Sequence, residues 1–312
     1  LKGYDWMETH KDRFMNGAAA LGVVNETRPA RQDFGHSFIL GAARLRGQTR
    51  TQDFKNQIDA GLSPGTVRVL AGQRELWAEI DGIGPDSESK KQDGLTYLFN
   101  LAAKNGVATD PQNTFRTQGT KTLLNYADET QQRLTETLMM NDQLETILGN
   151  SGVDYELVDT QADDNGRPTT RTTADDALKA IIDTLPQTDA PEQKDIHILV
   201  QSNQPYVERQ RLVTEASFRD LKEKLGLENI NFVFHGTGEA SEVGVKGIHS
   251  ELAALCAERY KAATHGQTDR KREASALMFQ TRNKDTDSVP PLPVWPLNSS
   301  RPPIATKPDI SP

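Results

Sequence analysis

Ile196-His197-Ile198-Leu199-Val200-Gln201-Ser202-Asn203-Gln204-Pro205-Tyr206-Val207-Glu208-Arg209-Gln210-Arg211 is the stretch whose reading decides the fold. It opens as a short apolar run, passes through a polar turn, and continues into a helix with Tyr206, Arg209 and Arg211 in its first turns. A continuous apolar run bounded by turn residues reads as a strand buried on both faces, the signature of a parallel sheet covered by helices. Such a strand hands its polar loop to a ligand cleft.

Working outward, the same rhythm recurs. Phe38-Ile39-Leu40 ends in Gly41-Ala42-Ala43, and a helix follows with Phe54 and Ile58 four apart, stopped by Gly61. Thr66-Val67-Arg68-Val69-Leu70-Ala71-Gly72 is a second strand, so the chain opens with a βαβ unit and hence a parallel sheet. Tyr155-Glu156-Leu157-Val158 is the third strand, the quoted stretch the fourth, and Asn231-Phe232-Val233-Phe234 the fifth.

The helices between them are equally legible. Leu134, Leu138, Leu144, Ile147 and Leu148 share one face, and Leu178, Ile181, Ile182 and Leu185 share another over 174–185, with Thr172 or Thr173 as the N-cap. Gly226 caps the helix after the quoted stretch. A short helix is predicted over 4–20 and a last one over 248–263, packing Leu252, Leu255, Cys256 and Tyr260 inward. The prediction is an α/β, Rossmann-like three-layer sandwich with a mainly parallel five-stranded sheet.

Two segments break the rhythm. Residues 75–133 carry the turns Gly82-Ile83-Gly84-Pro85 and Asp110-Pro111 around one short helix with Leu95, Leu98 and Leu101; they read as a helical insertion over one end of the sheet. Pro290-Pro291-Leu292-Pro293-Val294-Trp295-Pro296 excludes a helix and suits polyproline II. The organisation is then a domain over 1–280 and a proline-rich C-terminal arm over 281–312. The arm either docks on its own domain through Trp295 or offers a proline-rich ligand to a partner protein.

Composition narrows the function. The 312 residues carry a net charge of −8, which opposes general nucleic-acid binding because phosphate backbones need a basic field. No apolar run approaches the ~18–20 residues that span a bilayer. The expectation is a soluble, cytoplasmic protein, with Leu1 leaving open a leader removed upstream. The single cysteine excludes an internal disulfide. Asp163-Asp164-Asn165-Gly166 lacks the register of a calcium loop and reads as a solvated turn, so no metal ligands are assigned.

Ligands of open parallel sheets bind beyond the carboxyl ends of the strands. The five loops predicted there pool Arg44, Arg46, Arg74, Arg171, Arg209 and Arg211. Guanidinium forks and helix N-termini both favour phosphate or carboxylate, which predicts a cationic cleft in an acidic protein. Arg44, Arg74 and Arg209 are the candidates for holding negative charge, unless carboxylates such as Glu75, Glu208 and Glu239 neutralise the arginines. Gly41, Gly72, Gln73, Thr172, Thr173, Ser202, Asn203, Gln204 and Tyr206 complete the candidate ligand-binding set. His235, near a strand end, is a candidate acid or base, or simply a hydrogen-bonded histidine.

The order of these motifs resembles the YdcF-like family, with its SanA-like and ElyC-like members (domain of unknown function 218). The likeness lies in Phe38-Ile39-Leu40-Gly41-Ala42-Ala43, Val69-Leu70-Ala71-Gly72, Thr135-Glu136-Thr137, Thr172-Thr173-Ala174-Asp175-Asp176-Ala177, and Gln201 to Arg209, spanning about residues 36–80 and 134–240. The departures are Ala42 and Ala43 in place of glycines, an extra residue in the 201–209 loop, and Gln204, Pro205 and Tyr206 where that family has a histidine. The resemblance implies a Rossmann-like fold with a polar cleft, nucleotide-like ligands such as S-adenosylmethionine, or cell-envelope precursors. With it, Glu136 joins His235 as a candidate catalytic group. The expected function is binding of a small phosphorylated or nucleotide-like anion, with hydrolase or transferase chemistry as its enzymatic form; the alternative is a non-enzymatic interaction module using the insertion and the arm. The cofactor stays unassigned.

Overall fold

A computed structural model of the protein describes residues 9–82, 90–128, 132–161, 168–185, 194–227, 229–241 and 243–284. The 163–166 turn, Gly84-Pro85 and the Pro290 to Pro296 segment lie outside them. By internal contacts the chain divides into two compact units, 1–262 and 263–312.

Five strands, β1 (His36–Leu40), β2 (Thr66–Gly72), β5 (Tyr155–Thr160), β6 (Lys194–Gln201) and β7 (Ile230–Thr237), form one wholly parallel sheet in the order β5-β2-β1-β6-β7. The helices that connect them are α2 (Arg44–Asp59), α5 (Glu136–Leu148), α6 (Thr170–Thr184) and α7 (Val207–Leu225). Strand parity distributes the core. Ile39, Val67, Val69 and Leu199 face Phe54 of α2 and Met139, Met140 and Leu144 of α5. Phe38, Leu40, Leu70, Ile198, Val200, Phe232 and Phe234 face Leu178 and Ile181 of α6 and Phe218 of α7. Each such fully buried side chain contributes about 1.5–3 kcal/mol. Both faces being apolar, the expected three-layer Rossmann-like sandwich is the fold found.

The helix after β1 and the helix after β6 lie on opposite faces, and these two strands are neighbours. This is the switch point of a doubly wound sheet, where a crevice must open beyond the strand ends. The quoted stretch supplies one of its walls.

Elsewhere the sequence reading needs correction. α6 starts at Thr170, not 174, because Thr169 accepts from the Thr172 backbone while the Thr172 hydroxyl accepts from the Thr169 N–H. The cap is therefore Thr169. Gly226 does end α7, in the left-handed region at φ 66°. The first helix, α1, covers Lys11–Ala20.

The insertion is less helical than expected. It holds α3 (Ala78–Asp81) and α4 (Lys90–Lys104), but also an antiparallel hairpin of β3 (Phe115–Gln118) and β4 (Lys121–Leu124) turning at Gly119. These strands are four residues each, too short for an alternation to stand out.

The last helix, α8, runs Val245–Lys284, well beyond position 263, since no proline interrupts it until Pro290. Its Ile248 and Leu255 pack with Ala18 of α1 and Val23. Cys256 and Tyr260 point outward instead of inward, Tyr260 being 71% exposed. One apolar stripe suffices for the contact with α1, and both residues fall outside it. Among the described residues no helix is long and apolar enough to cross a membrane.

Candidate functional site

A cleft of about 560 Å³ opens at the switch point. Its floor is the strand-end backbone of Leu40, Gly41, Leu70 and Gly72. Its walls are Ala43, Arg46 and Arg50 of the α2 side, Glu136 at the start of α5, Thr169, Thr170, Arg171 and Thr173 at the start of α6, and Tyr206, Arg209 and Gln210 at the start of α7. Ile80 enters from the insertion and Glu258 and Lys261 from α8. Every connecting helix presents its N-terminus here, because parallel strands force all of them to start on the same edge. α2 starts at Ala43 with no side-chain cap and no acid in its first turn.

Arg50 is the unusual cation. It is 2% exposed, and its Nε donates to Asn203 Oδ1 (2.9 Å) while Nη1 donates to the carbonyls of Leu40 (2.8 Å) and Gly41 (2.7 Å). Buried charges normally meet an opposite charge. Among the described residues neither Arg50 nor Arg46 has a carboxylate within ion-pair distance, and no hydrogen bond uses Arg50 Nη2. Burial, followed by the repulsion of Arg46, brings the Arg50 pKa down to about 10, so the group stays charged at neutral pH.

The other cations of the cleft are balanced. Arg74 donates Nε to Glu136 Oε2 (2.8 Å) and both Nη atoms to Asp81 (2.9 Å each). Burial disfavours its charge, but Asp81 and Glu136 outweigh burial and its pKa is raised. Arg209 pairs with Glu251, Arg171 with Asp220, and Lys261 with Glu258. Arg211 is held by Glu208 and Glu215, and Glu75 by Arg116 and Arg133. Neutralisation by carboxylates thus accounts for most of the pooled arginines.

Glu136 faces Arg50 across Gly41. Its carboxyl is pushed up by burial, which Arg74 offsets in part. A Cβ on residue 41 would overlap Glu136 Oε1 and stand 2.7 Å from the carbonyl of Leu70, so only glycine lets the carboxyl lie against the strand end. Among the described residues no donor reaches Oε1. Tyr206 has two guanidiniums near its ring, Arg46 at 5.0 Å and Arg209 at 6.0 Å from the centroid.

Seven of the sequence-predicted residues therefore line the cleft: Gly41, Gly72, Arg74, Glu136, Thr173, Tyr206 and Arg209. Asn203 stands behind it, aiming Arg50. The rest lie elsewhere. Arg44 turns to the insertion, with Nε on the carbonyl of Gly82 (3.0 Å) and its guanidinium over Tyr97. Gln73 donates to Asp159, and Thr172 is consumed by the α6 cap. Ser202 donates to Gln210. Gln204 reaches away from the cleft to the carbonyls of Gly22 and Asn25 and to Thr27.

His235 is not a cleft residue. β7 continues two residues beyond it, and the parity set by Phe232 and Phe234 turns it to the other face of the sheet. There it meets His197 (Nδ1 to Nε2, 3.0 Å) and the edge of Phe34. Burial, then His197, lowers its pKa. The hydrogen-bonded reading of this histidine is the one that fits.

Arg50 and Asp81 were missed from sequence. For Arg50 a signal existed: it follows Arg46 by four residues on a helix that begins at the cleft, which puts both on one face. Asp81 carried none, lying in an irregular segment.

Comparison with family models, curated proteins and solved structures finds no match. The function has to be argued from the cleft itself.

Proposed function

We propose that this protein binds a small anionic ligand, phosphorylated or nucleotide-like, in the cleft at the β1–β6 switch point. The observation that carries this reading is Arg50, a buried guanidinium whose partners are two carbonyls and an amide. A buried cation with no carboxylate in ion-pair contact among the described residues, only Glu136 across Gly41, is incompletely compensated, at a cost that an incoming anion relieves. Arg46 and the uncapped start of α2 add donors and positive potential beside it.

The motif order resembling the YdcF-like family is what favours the nucleotide-like form; S-adenosylmethionine, a net cation, can engage Arg50 only through its carboxylate and serves as the contrast to the anions. Glu136 is the group in the cleft able to move a proton, which is the basis for hydrolase or transferase chemistry.

Calorimetric titration and thermal shift with inorganic phosphate, nucleoside monophosphates, a sugar nucleotide and S-adenosylmethionine test the reading. Binding is expected for at least one anion, to weaken with added salt, and to fall at least tenfold in Arg50→Gln. Arg46→Ala, at an exposed position that leaves the fold alone, is expected to weaken it severalfold. Silence towards every anion, with wild type and both variants alike, rejects the proposal.

A further inference from the structure

Resting on that reading, we infer that the ligand carries a hydroxyl close to its anionic group, and that the cleft is built for hydroxylated phosphate esters rather than bare anions.

The argument starts from the two groups that flank Gly41. On one side, Arg50 Nη1 is 2.7 Å from the Gly41 carbonyl. On the other, Glu136 Oε1 occupies the space in which a side chain of residue 41 would stand. Cation and carboxyl are thus separated by the width of a single residue.

A site selecting only for negative charge would not place a carboxylate there. Like charges a few ångströms apart repel by kilocalories in a shielded site, and anion affinity would gain from its removal. A carboxyl oxygen without a donor instead accepts from an O–H, and a carboxyl accepts in either protonation state.

The carboxyl is also held in place for the task. Arg74 fixes Oε2, and Asp81 and the Trp77 backbone fix Arg74 and Asp81 in turn. Oε1 is left facing the cleft on a carboxyl that cannot swing away. Sites that bond a hydroxyl reject the analogue lacking it, because their own polar group is then left dry and unpaired.

The anion and the hydroxyl must lie close together on the ligand, as they do when a phosphate ester sits beside a carbon bearing O–H. Glycerol 3-phosphate has this arrangement; propyl phosphate has the same chain and charge without the hydroxyls; glycerol has the hydroxyls without the charge.

Titration calorimetry of the full chain with these three compounds is the test. Glycerol 3-phosphate is expected to bind at least tenfold tighter than propyl phosphate, with no measurable heat from glycerol. In Glu136→Gln the amide oxygen stays on Arg74 and an N–H₂ donor faces the cleft, so the preference should vanish while propyl phosphate binds as well or better.

Equal affinities in the wild-type chain overturn the inference and leave anion binding standing. A preference that persists in Glu136→Gln also overturns it, since another acceptor is then responsible. If neither phosphate ester binds while inorganic phosphate or a nucleotide does, the inference falls and anion binding stands; if no anion binds, the anion reading itself falls. The comparison within wild type stands even where the variant folds poorly.

Discussion

Arg74 and Asp81 meet through two parallel hydrogen bonds, Nη1 to Oδ2 and Nη2 to Oδ1, each 2.9 Å, with both side chains buried. This fork ties the end of β2 to the insertion, and its third nitrogen ties both to Glu136. Folding and the cleft therefore share a buried ionic cluster. Removing one member of such a pair leaves a buried charge uncompensated, at about 3–5 kcal/mol. Asp81→Ala should lower stability by that amount in urea denaturation and weaken ligand binding with it. A loss under about 1 kcal/mol would show that the insertion is held by its apolar contacts instead.

Gly41 is expected to tolerate no side chain. Gly41→Ala puts a methyl onto Glu136 Oε1 and near the Leu70 carbonyl. Overpacking of this kind costs about 1–3 kcal/mol, and the displaced carboxyl should erase discrimination between glycerol 3-phosphate and propyl phosphate. Gly17→Ala, inside α1 where a Cβ meets nothing within 4 Å, is the matched control: it should leave discrimination unchanged and add up to about 1 kcal/mol of stability. Unaltered discrimination in Gly41→Ala would separate Glu136 from ligand choice.

His36 should make the fold acid-sensitive. Its Nδ1 accepts from Arg68 Nη1 at 3.0 Å, which requires that nitrogen to be unprotonated, and Arg68 also pairs with Glu156. Burial, then Arg68, lowers its pKa from 6.5 to about 4, against a smaller upward pull from Glu156. In this pH range the unfolded chain binds a proton that the folded chain refuses. Stability is thus fully present above about 6.5 and falls as the pH drops towards about 4, by roughly 1–2 kcal/mol after solvent screening. Denaturation of wild type and His36→Gln at pH 7.5 and 4.5 should show a gap between the two proteins that narrows or reverses in acid. A constant gap would mean that other groups govern acid sensitivity.

Gln204 should anchor the segment before β1. Its amide donates to the Gly22 carbonyl (2.9 Å), the Asn25 carbonyl (2.9 Å) and Thr27 Oγ1 (2.8 Å) while 2% exposed. Gln204→Ala removes three part-buried hydrogen bonds made by a buried amide, a loss of roughly 1–2 kcal/mol. Limited proteolysis should then cut within 20–30 at a rate at which wild type is intact, while anion binding stays near the wild-type value. Loss of binding without faster cleavage would give Gln204 a role in the cleft instead.

Much of this was legible beforehand, and the misses follow a pattern. The short apolar-rich stretches at 38–40, 67–70 and 196–200, broken only by Arg68 and His197, announce a parallel sheet because a strand buried on both faces has little polar side to show. That alone places the cleft at their carboxyl ends and brings Gly41 and Gly72 to it; Glu136 comes only through the resemblance in motif order. Arg44 and Arg46 were indistinguishable as sequence, being two steps apart on one helix. Only the tertiary structure turns the first to Tyr97 and the second to Tyr206. In the loop after β6, Asn203 serves the cleft and Gln204 the opposite side, a division no composition announces.

The sequence by itself determined the five strands of the main sheet, their parallel sense and the edge at which chemistry can occur, since each follows from local periodicity and chain connectivity. Strand order, and with it the crevice between β1 and β6, depends on packing between segments more than 150 residues apart. So does the pairing of charges. Arg74, Arg209 and Arg171 are neutralised by acids 7 to 62 residues away, whereas Arg50 is not. Charge can be counted along a chain, but whether a charge is answered is decided by what burial brings beside it.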